Sequence, residues 1–185
     1  FAEVREVFTR LRGGISTCSL LTSYRSSPEI TEIFAGLLPA EQRAKISSVQ
    51  RASEPVRVDC YGNDDEYAAA LREAVAHAKE NDGLTAIVVP WKHEAKRLRA
   101  FLGDAADGLV DMETAAELPT NGAMIITLQL AKGLEFDHAI VPDASARVFP
   151  ADDRVAKNRL YTTVSRATRS VQILCRGDIT PLLKK

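Results

Sequence analysis

Two polar residues follow the first strongly apolar run of the chain, in the stretch LLTSYRSSPEI from Leu20 to Ile30. Arg25 offers a planar guanidinium that can hold a phosphate through two hydrogen bonds, and Tyr24 offers a flat ring on which a base can stack. Pro28 marks the first turn of a predicted helix, whose free N–H groups also attract anions. The loop is therefore a candidate nucleotide site. The alternative interpretation is structural, with Tyr24 packed on the core and Arg25 solvated.

A second candidate loop is TLQLAKGLEFD, from Thr127 to Asp137, between two strand-like runs. Gly133 allows the backbone to approach a ligand closely, because it has no side chain. The carboxylate of Glu135 can accept hydrogen bonds from ribose hydroxyls. The alternative interpretation is an ordinary turn in which Glu135 caps backbone groups.

The third candidate is NRLYTTVSRATRSVQIL, from Asn158 to Leu174, where the spacing predicts a helix over 153–168. Arg159, Thr163 and Arg166 fall on one polar face of this helix. The neighbouring face is a predicted core stripe, made of Leu160, Val164, Ala167 and Val171. An arginine on the polar face can reach a phosphate, or it can simply be solvated.

The elements that would carry these loops alternate between strands and helices. The predicted strands are Thr17 to Thr22, VRVDC, TAIVVP, MIITL, HAIVP and VQILC, and the predicted helices between them begin at Pro28, Asn63 and Trp91. This alternation predicts one α/β layered domain over 1–185, with a mainly parallel sheet flanked by helices. Ligands of such sheets bind beyond the carboxyl ends of the strands, where we expect the three loops to lie.

The composition is that of an ordinary soluble domain, with 45% hydrophobic and 26% charged residues. A formal net charge of -1 gives no long-range attraction for nucleic acid. Any binding of nucleic acid would therefore depend on local positively charged groups. Three cysteines without a CxxC pair, and no signal peptide or long apolar span, predict a cytoplasmic location and no zinc site.

Read in order, the three stretches resemble motifs IV, V and VI of the UvrD/Rep-type superfamily 1 helicases. The range from Thr17 to Leu174 resembles the second RecA-like domain of that family, which has a P-loop NTPase-like fold without the P-loop itself. The Tyr-Arg-Ser followed by a Pro-Glu-Ile helix is most similar to the HelD or helicase IV-like branch.

The resemblance implies a half-site for ATP, which in this family lies between two RecA-like domains. It assigns Tyr24 to stacking on the adenine, Arg25 to the γ-phosphate, and Glu135, beside Gly133, to the ribose. It assigns Arg166 to completing the positive clamp around the γ-phosphate. Arg25 and Arg166 would then be catalytic, because phosphoryl transfer depends mainly on positioned positive charge.

Two departures from the family pattern matter. The sequence contains no GxxxxGK[ST] phosphate loop and no Asp-Glu metal motif. Mg²⁺ and the water-activating group are therefore expected from an N-terminal RecA-like domain, and this chain alone is predicted to be inactive. Gln129 stands where motif V often has a histidine that contacts nucleic acid, so a DNA role for Thr127 and Gln129 is left open.

Three functions compete on these grounds. The first is the C-terminal domain of an ATP-dependent DNA helicase or translocase that acts on single-stranded DNA. The second is a HelD-like factor that uses ATP to remodel RNA polymerase, which the near-neutral charge favours. The third is a generic α/β domain whose loops only look like these motifs.

Overall fold

The architecture was obtained as a computed structural model, which describes residues 2–16 and 22–184. The helices are α1 (Ala2–Arg12), α2 (Pro28–Gly36), α3 (Ala40–Arg43), α4 (Asp64–Glu80), α5 (Lys92–Leu102), α6 (Leu128–Ala131) and α7 (Arg154–Val164), with 3₁₀ turns at Gly103–Ala106 and Pro181–Leu183. The strands are β1 (Thr22–Ser23), β2 (Ser47–Ser48), β3 (Arg57–Tyr61), β4 (Leu84–Val89), β5 (Val110–Asp111), β6 (Gly122–Thr127), β7 (Phe136–Val141) and β8 (Ala167–Arg176).

Six of these strands form one parallel sheet in the order β3-β8-β7-β4-β6-β5, and β1 and β2 form a separate short parallel pair. The central strand β4 is buried along its whole length, as expected for a parallel sheet covered on both faces. The predicted α/β layered fold with a mainly parallel sheet is therefore confirmed. The predicted strand over Thr17 to Thr22 falls largely outside the described residues.

Apolar clusters lie on both faces of the sheet. On one face, Leu71 and Val75 of α4 and Leu98 of α5 pack against Ile87 of β4. On the other face, a cluster is built from α2, α7, β7 and β8, with members that include Ile30, Phe34, Leu160, Val171 and Ile173. The helices thus exclude water from both faces of the sheet and hold its edges in fixed positions.

Polar side chains set the beginnings of several helices. Asn63 caps α4 by accepting from the N–H of Glu66, at 2.8 Å, and Asp153 caps α7 by accepting from the N–H of Val155, at 2.7 Å. Ser27 and Pro28 begin α2, as the sequence predicts.

The predicted helix over 153–168 is wrong at its C-terminal end. The helix α7 stops at Val164, and β8 begins at Ala167. Ala167 and Val171 are buried as predicted, but as strand residues rather than as part of a helical stripe. The cause is strand pairing, because residues 167–173 of β8 pair in parallel with β7 along a run rich in β-formers. Arg166 consequently lies in the connection between α7 and β8 and not on a helix.

The described residues also bear on two general features of the chain. None of the helices within 2–16 and 22–184 combines the length and apolarity needed to cross a bilayer. Within the same ranges, no group of three or more His, Cys, Asp or Glu side chains could hold a metal ion.

Candidate nucleotide-binding site

The loop that contains Tyr24 and Arg25 is fastened to the start of β8. The hydroxyl of Ser26 donates to the carbonyl of Ala167, at 2.8 Å, and the N–H of Ser27 donates to the carbonyl of Thr168, at 3.1 Å. Both serines are buried. Their positions explain why two small hydroxyl residues follow Arg25, since they attach the loop to the sheet next to Arg166.

The loop that contains Gly133 and Glu135 leads from α6 into β7. Gly133 has a φ of +93°, which places it in the left-handed region that L residues rarely adopt. A Cβ built on Gly133 would meet no atom within 4 Å, so its conformation, and not crowding, requires glycine. The turn lets the chain reach Glu135 directly before β7 begins.

Three side chains predicted from separate loops lie together in the structure. Nη1 of Arg25 is 2.8 Å from Oε1 of Glu135, and Nη2 of Arg25 donates to the carbonyl of Ser165, at 2.6 Å. Nη1 of Arg166 donates to the carbonyl of Leu134, at 3.3 Å. Arg25, Glu135 and Arg166, which we call the arginine cluster, therefore form one connected group.

The charges of the arginine cluster favour an anion. Burial first, and then the neighbouring positive charge of Arg25, lower the pKa of Arg166, whereas Glu135 acts in the opposite direction. Arg166 still carries its charge at physiological pH, because a guanidinium stays protonated in proteins. Two cations and one carboxylate leave a net positive charge at this position, which an additional anion would stabilise.

Unused donors also point to an anion. The Nε atoms of Arg25 and Arg166 are buried and have no hydrogen-bond partner among the described residues. A buried donor without a partner costs roughly 1 to 3 kcal/mol, so a bound acceptor would recover part of that cost. Phosphate oxygens are suitable acceptors for guanidinium groups.

The structure excludes the core-packing interpretation of Tyr24. The residue is 74% exposed, so it does not pack on the core. The side-chain amide of Gln50 donates to the backbone carbonyl of Tyr24 and fixes the loop while leaving the ring in solvent. Arg25 is not merely solvated either, because it is bonded to Glu135 and Ser165.

The cluster lies at the opposite edge of the sheet from the one predicted. Glu135 directly precedes β7 and Arg166 directly precedes β8, and the N–H of Phe136 donates to the carbonyl of Arg166, at 3.0 Å. These positions are the amino ends of both strands. The expectation that the three loops lie at the carboxyl ends is therefore wrong for Glu135 and Arg166.

Thr127 and Gln129 have different surroundings. Thr127 is buried, and its hydroxyl donates to Glu113 at 2.9 Å. Lys92, and then Thr127, lower the pKa of Glu113. Gln129 instead lines an open cavity at the carboxyl ends of β4 and β6. Of the two residues, only Gln129 presents its side chain to an accessible surface.

Sequence reasoning missed two features of the site. The carbonyl of Ser165 joins Arg25 to the connection that carries Arg166, and a backbone group leaves no signature in residue type. Trp91, treated only as the start of a helix, is paired with Arg159 beside Gln129. The signal that marked Tyr24, an aromatic residue directly after an apolar run, applies equally to Trp91.

Comparisons with known proteins relate part of the chain to a helicase family. Residues 122–174 match the family model of the UvrD-like helicase C-terminal domain, a range that includes Glu135 and Arg166 but not Arg25. None of the curated proteins matches the chain.

Two solved structures resemble the chain to different degrees. The C-terminal domain of a possible DNA helicase from Lactobacillus plantarum WCFS1 is 26% identical, with a TM-score of 0.70 over 88% of this chain and 92% of that chain. RecG bound to a three-way DNA junction is 14% identical, with a TM-score of 0.42 over 74% of this chain and 20% of that chain. This likeness is too weak to support a conclusion about the chain. The fold is thus the α/β, RecA-like fold of a helicase C-terminal domain. No comparison supports the narrower HelD or helicase IV-like branch.

Proposed function

We propose that this chain is the second RecA-like domain of an ATP-dependent DNA helicase or translocase and that the arginine cluster is its half of the ATP site. The observation that carries the proposal is the meeting of Arg25, Glu135 and Arg166 from three separate parts of the chain. In an α/β domain without a ligand site, two clustered arginines with buried, unpaired guanidinium donors would cost stability and bring no benefit.

The residues present fit the triphosphate and sugar of ATP. Arg25 and Arg166 would hold phosphate oxygens, and Glu135 would exchange its bond with Arg25 for bonds to the ribose hydroxyls. The exposed ring of Tyr24 would stack on the adenine. The hydrogen bonds of Arg166, at 3.3 Å to Leu134 and 3.5 Å to Ser165, are long, so exchanging them for a phosphate contact would cost little.

The half-site needs a companion domain to be active. A phosphate loop, the Mg²⁺ ligands and the group that activates water would come from an N-terminal RecA-like domain. ATP would close the cleft between the two domains, and release after hydrolysis would reopen it. Repeated closure and opening would move the protein along single-stranded DNA.

The experiment that tests the proposal replaces Arg166 in the complete helicase. Arginines that meet charge developing on a transferred phosphoryl group contribute about 10³- to 10⁵-fold to kcat, so Arg166→Ala should lose a large part of that factor. Arg166→Lys should also be slow, because an ammonium group cannot reproduce the planar fork. Steady-state ATPase rates with and without single-stranded DNA provide the measurement.

Arg169 is the matched control, three residues further along the chain. It is not simply solvated, because its Nε lies 3.2 Å from Asp137 and its Nη1 lies 3.7 Å from Asp82. We therefore expect Arg169→Ala to lower stability slightly and to leave kcat within about twofold. Equal ATPase rates for Arg166→Ala and the wild type would refute the proposed role. A wild-type ATPase stimulated by RNA polymerase and not by DNA would favour the HelD-like remodelling factor instead.

A further inference from the structure

Two cysteines that are far apart in the sequence lie opposite each other in the main sheet. Cys60 belongs to the edge strand β3 and Cys175 to its neighbour β8, and the two are register partners in this parallel pair. Side chains alternate between the two faces of a sheet, so register partners of parallel strands project to the same face. Both thiols therefore lie on the face to which Ile173 contributes, together with α2 and α7.

Contacts on both sides of the cysteines fix this register. Asp59 is paired with Leu174 on one side, and Tyr61 is paired with Arg176 on the other. The carbonyl of Tyr61 also accepts from the N–H of Gly177, at 2.8 Å. Sliding of β3 along β8 would break all of these contacts, so the cysteines are held opposite each other.

The spacing of the two strands suits a disulfide. Adjacent strands are about 4.8 Å apart, and the Cα atoms of a disulfide are usually about 4.4 to 6.8 Å apart. Burial first, and then hydrogen bonding with the Cys60 thiol, raise the pKa of Cys175 to about 12, which shows that the two thiols are neighbours. A bond between the two sulfur atoms is thus compatible with the backbone of the native sheet.

The two thiols differ in their access to solvent. Cys60 is exposed, whereas Cys175 is completely buried, and its thiol donates to the carbonyl of Gly177 at 3.3 Å. A reagent in solution therefore meets Cys60 first, and Cys175 can reach the Cys60 sulfur from within the sheet. An exposed thiol with a second thiol beside it is a common arrangement for reversible oxidation.

From this arrangement we infer that Cys60 and Cys175 form a reversible disulfide between β3 and β8, with a small-molecule disulfide such as glutathione disulfide as the oxidant. The Cys60 thiolate attacks one sulfur of the small disulfide, which gives a mixed disulfide and releases one small thiolate. The Cys175 thiolate then attacks the Cys60 sulfur and releases the second small thiolate. Two protein thiols are oxidised, one small disulfide is reduced to two thiols, and the protons of the protein thiols pass to the small thiolates.

The disulfide would reinforce an exposed part of the fold. Among the described residues, β3 pairs with β8 alone, and Val58 beside Cys60 is exposed as well. Edge strands are places where pairing with another chain begins. The helix α4 starts directly after β3, and its Asp64 is paired with Arg176 of β8. Oxidation would therefore fix both the edge strand and the start of α4 to the interior of the sheet.

The test measures the thiol–disulfide equilibrium of the 185-residue chain in mixtures of reduced and oxidised glutathione. Cys18→Ser serves as the parent, so that Cys60 and Cys175 are the only cysteines left. Acid quenching and mass spectrometry separate the dithiol, the mixed disulfide and the intrachain disulfide. Their ratio gives the effective concentration of one thiol at the other, and the same measurement in urea gives the value for the unfolded chain.

The folded chain should show a much higher effective concentration than the unfolded chain. By thermodynamic linkage, the ratio of the two values equals the stabilisation of the fold by the disulfide, which for a well-placed bond corresponds to about 30- to 900-fold. The rise should also appear as a higher urea midpoint of the oxidised chain.

Single variants in the same parent assign each step to one cysteine. Cys175→Ala should stop at a mixed disulfide on Cys60, because no second thiol is present to displace the glutathione. Cys60→Ser should form neither product while the chain is folded, because Cys175 is buried. Alanine is chosen at Cys175 since a buried serine hydroxyl would need a new hydrogen-bond partner, and urea unfolding checks that both variants are folded.

Three outcomes would overturn the inference. They are an effective concentration in the folded chain no higher than in urea, a mixed disulfide as the final product of the parent, and chains joined to each other through Cys60. The last outcome would make Cys60 a contact between chains. None of the three bears on the ATP half-site, because the arginine cluster contains no cysteine and Arg166→Ala tests it independently.

Discussion

Replacing Glu135 with glutamine should change the binding of phosphates and of nucleosides in opposite directions. The substitution keeps the shape and the hydrogen-bonding oxygen but removes the charge that lies 2.8 Å from Arg25. Arg25 then loses its counter-ion, and an incoming polyphosphate no longer meets a carboxylate. A ligand without a ribose should therefore bind more tightly to Glu135→Gln than to the wild type.

The size of the effect follows from the exposure of the pair. The side chains are 33% and 55% exposed, so solvent screens their attraction to about 0.2 to 1 kcal/mol. Inorganic tripolyphosphate should thus gain about 1.4- to 5-fold in affinity. For ATP, a charge-assisted hydrogen bond to the ribose becomes a neutral one, which costs about 1 to 1.5 kcal/mol. The preference for ATP over tripolyphosphate should fall by about 5- to 12-fold.

Titration calorimetry of both ligands at low salt measures the two affinities, and urea unfolding checks that the variant is folded. Glu117→Gln is the control, because Glu117 is exposed and its replacement changes the net charge by the same amount. Weaker binding of tripolyphosphate to Glu135→Gln would mean that Glu135 is needed to hold Arg25 in place. An unchanged preference for ATP would mean that Glu135 does not contact the ribose.

Two further predictions concern Tyr24 and Glu113. In the complete helicase, Tyr24→Ala should raise the KM for ATP and leave kcat nearly unchanged, because stacking is about equal in the ground and transition states; equal use of ATP, GTP and CTP by the wild type would contradict the stacking role. Lys92 and Thr127 lower the pKa of Glu113 from its ordinary value of 4.5. The charge of Glu113 therefore stabilises the fold at pH values above 4.5, and this stabilisation is lost as the pH falls through the lower pKa of the folded state. Glu113→Gln should therefore lower the free energy of unfolding by about 1 kcal/mol or less in urea at pH 7, and the loss should shrink as the pH is taken below 4.5. An equal loss at all pH values would assign the effect to packing.

Much of the fold could be predicted from local pattern. Continuous apolar runs identified the main strands, and the caps at Ser27 and Asn63 identified the beginnings of two helices. The end of α7 could not be predicted in this way. Up to Arg166 the polar and apolar residues fit a helical period, and only the hydrogen bonds offered by β7 make the following residues a strand.

The sequence by itself determined the residue types of the arginine cluster and the order of its loops. Arginine, glutamate and an aromatic ring next to apolar runs were recognisable because surface loops seldom need them there. Tertiary structure decided where these groups meet. A connection between two strands crosses the whole sheet, and sequence does not show which part of it lies at which edge. Parallel pairing of β7 and β8 places Glu135 and Arg166 together at the amino edge. The connection from β6 to β7, which ends at Glu135, begins at the carboxyl edge, where Gln129 lies beside Trp91.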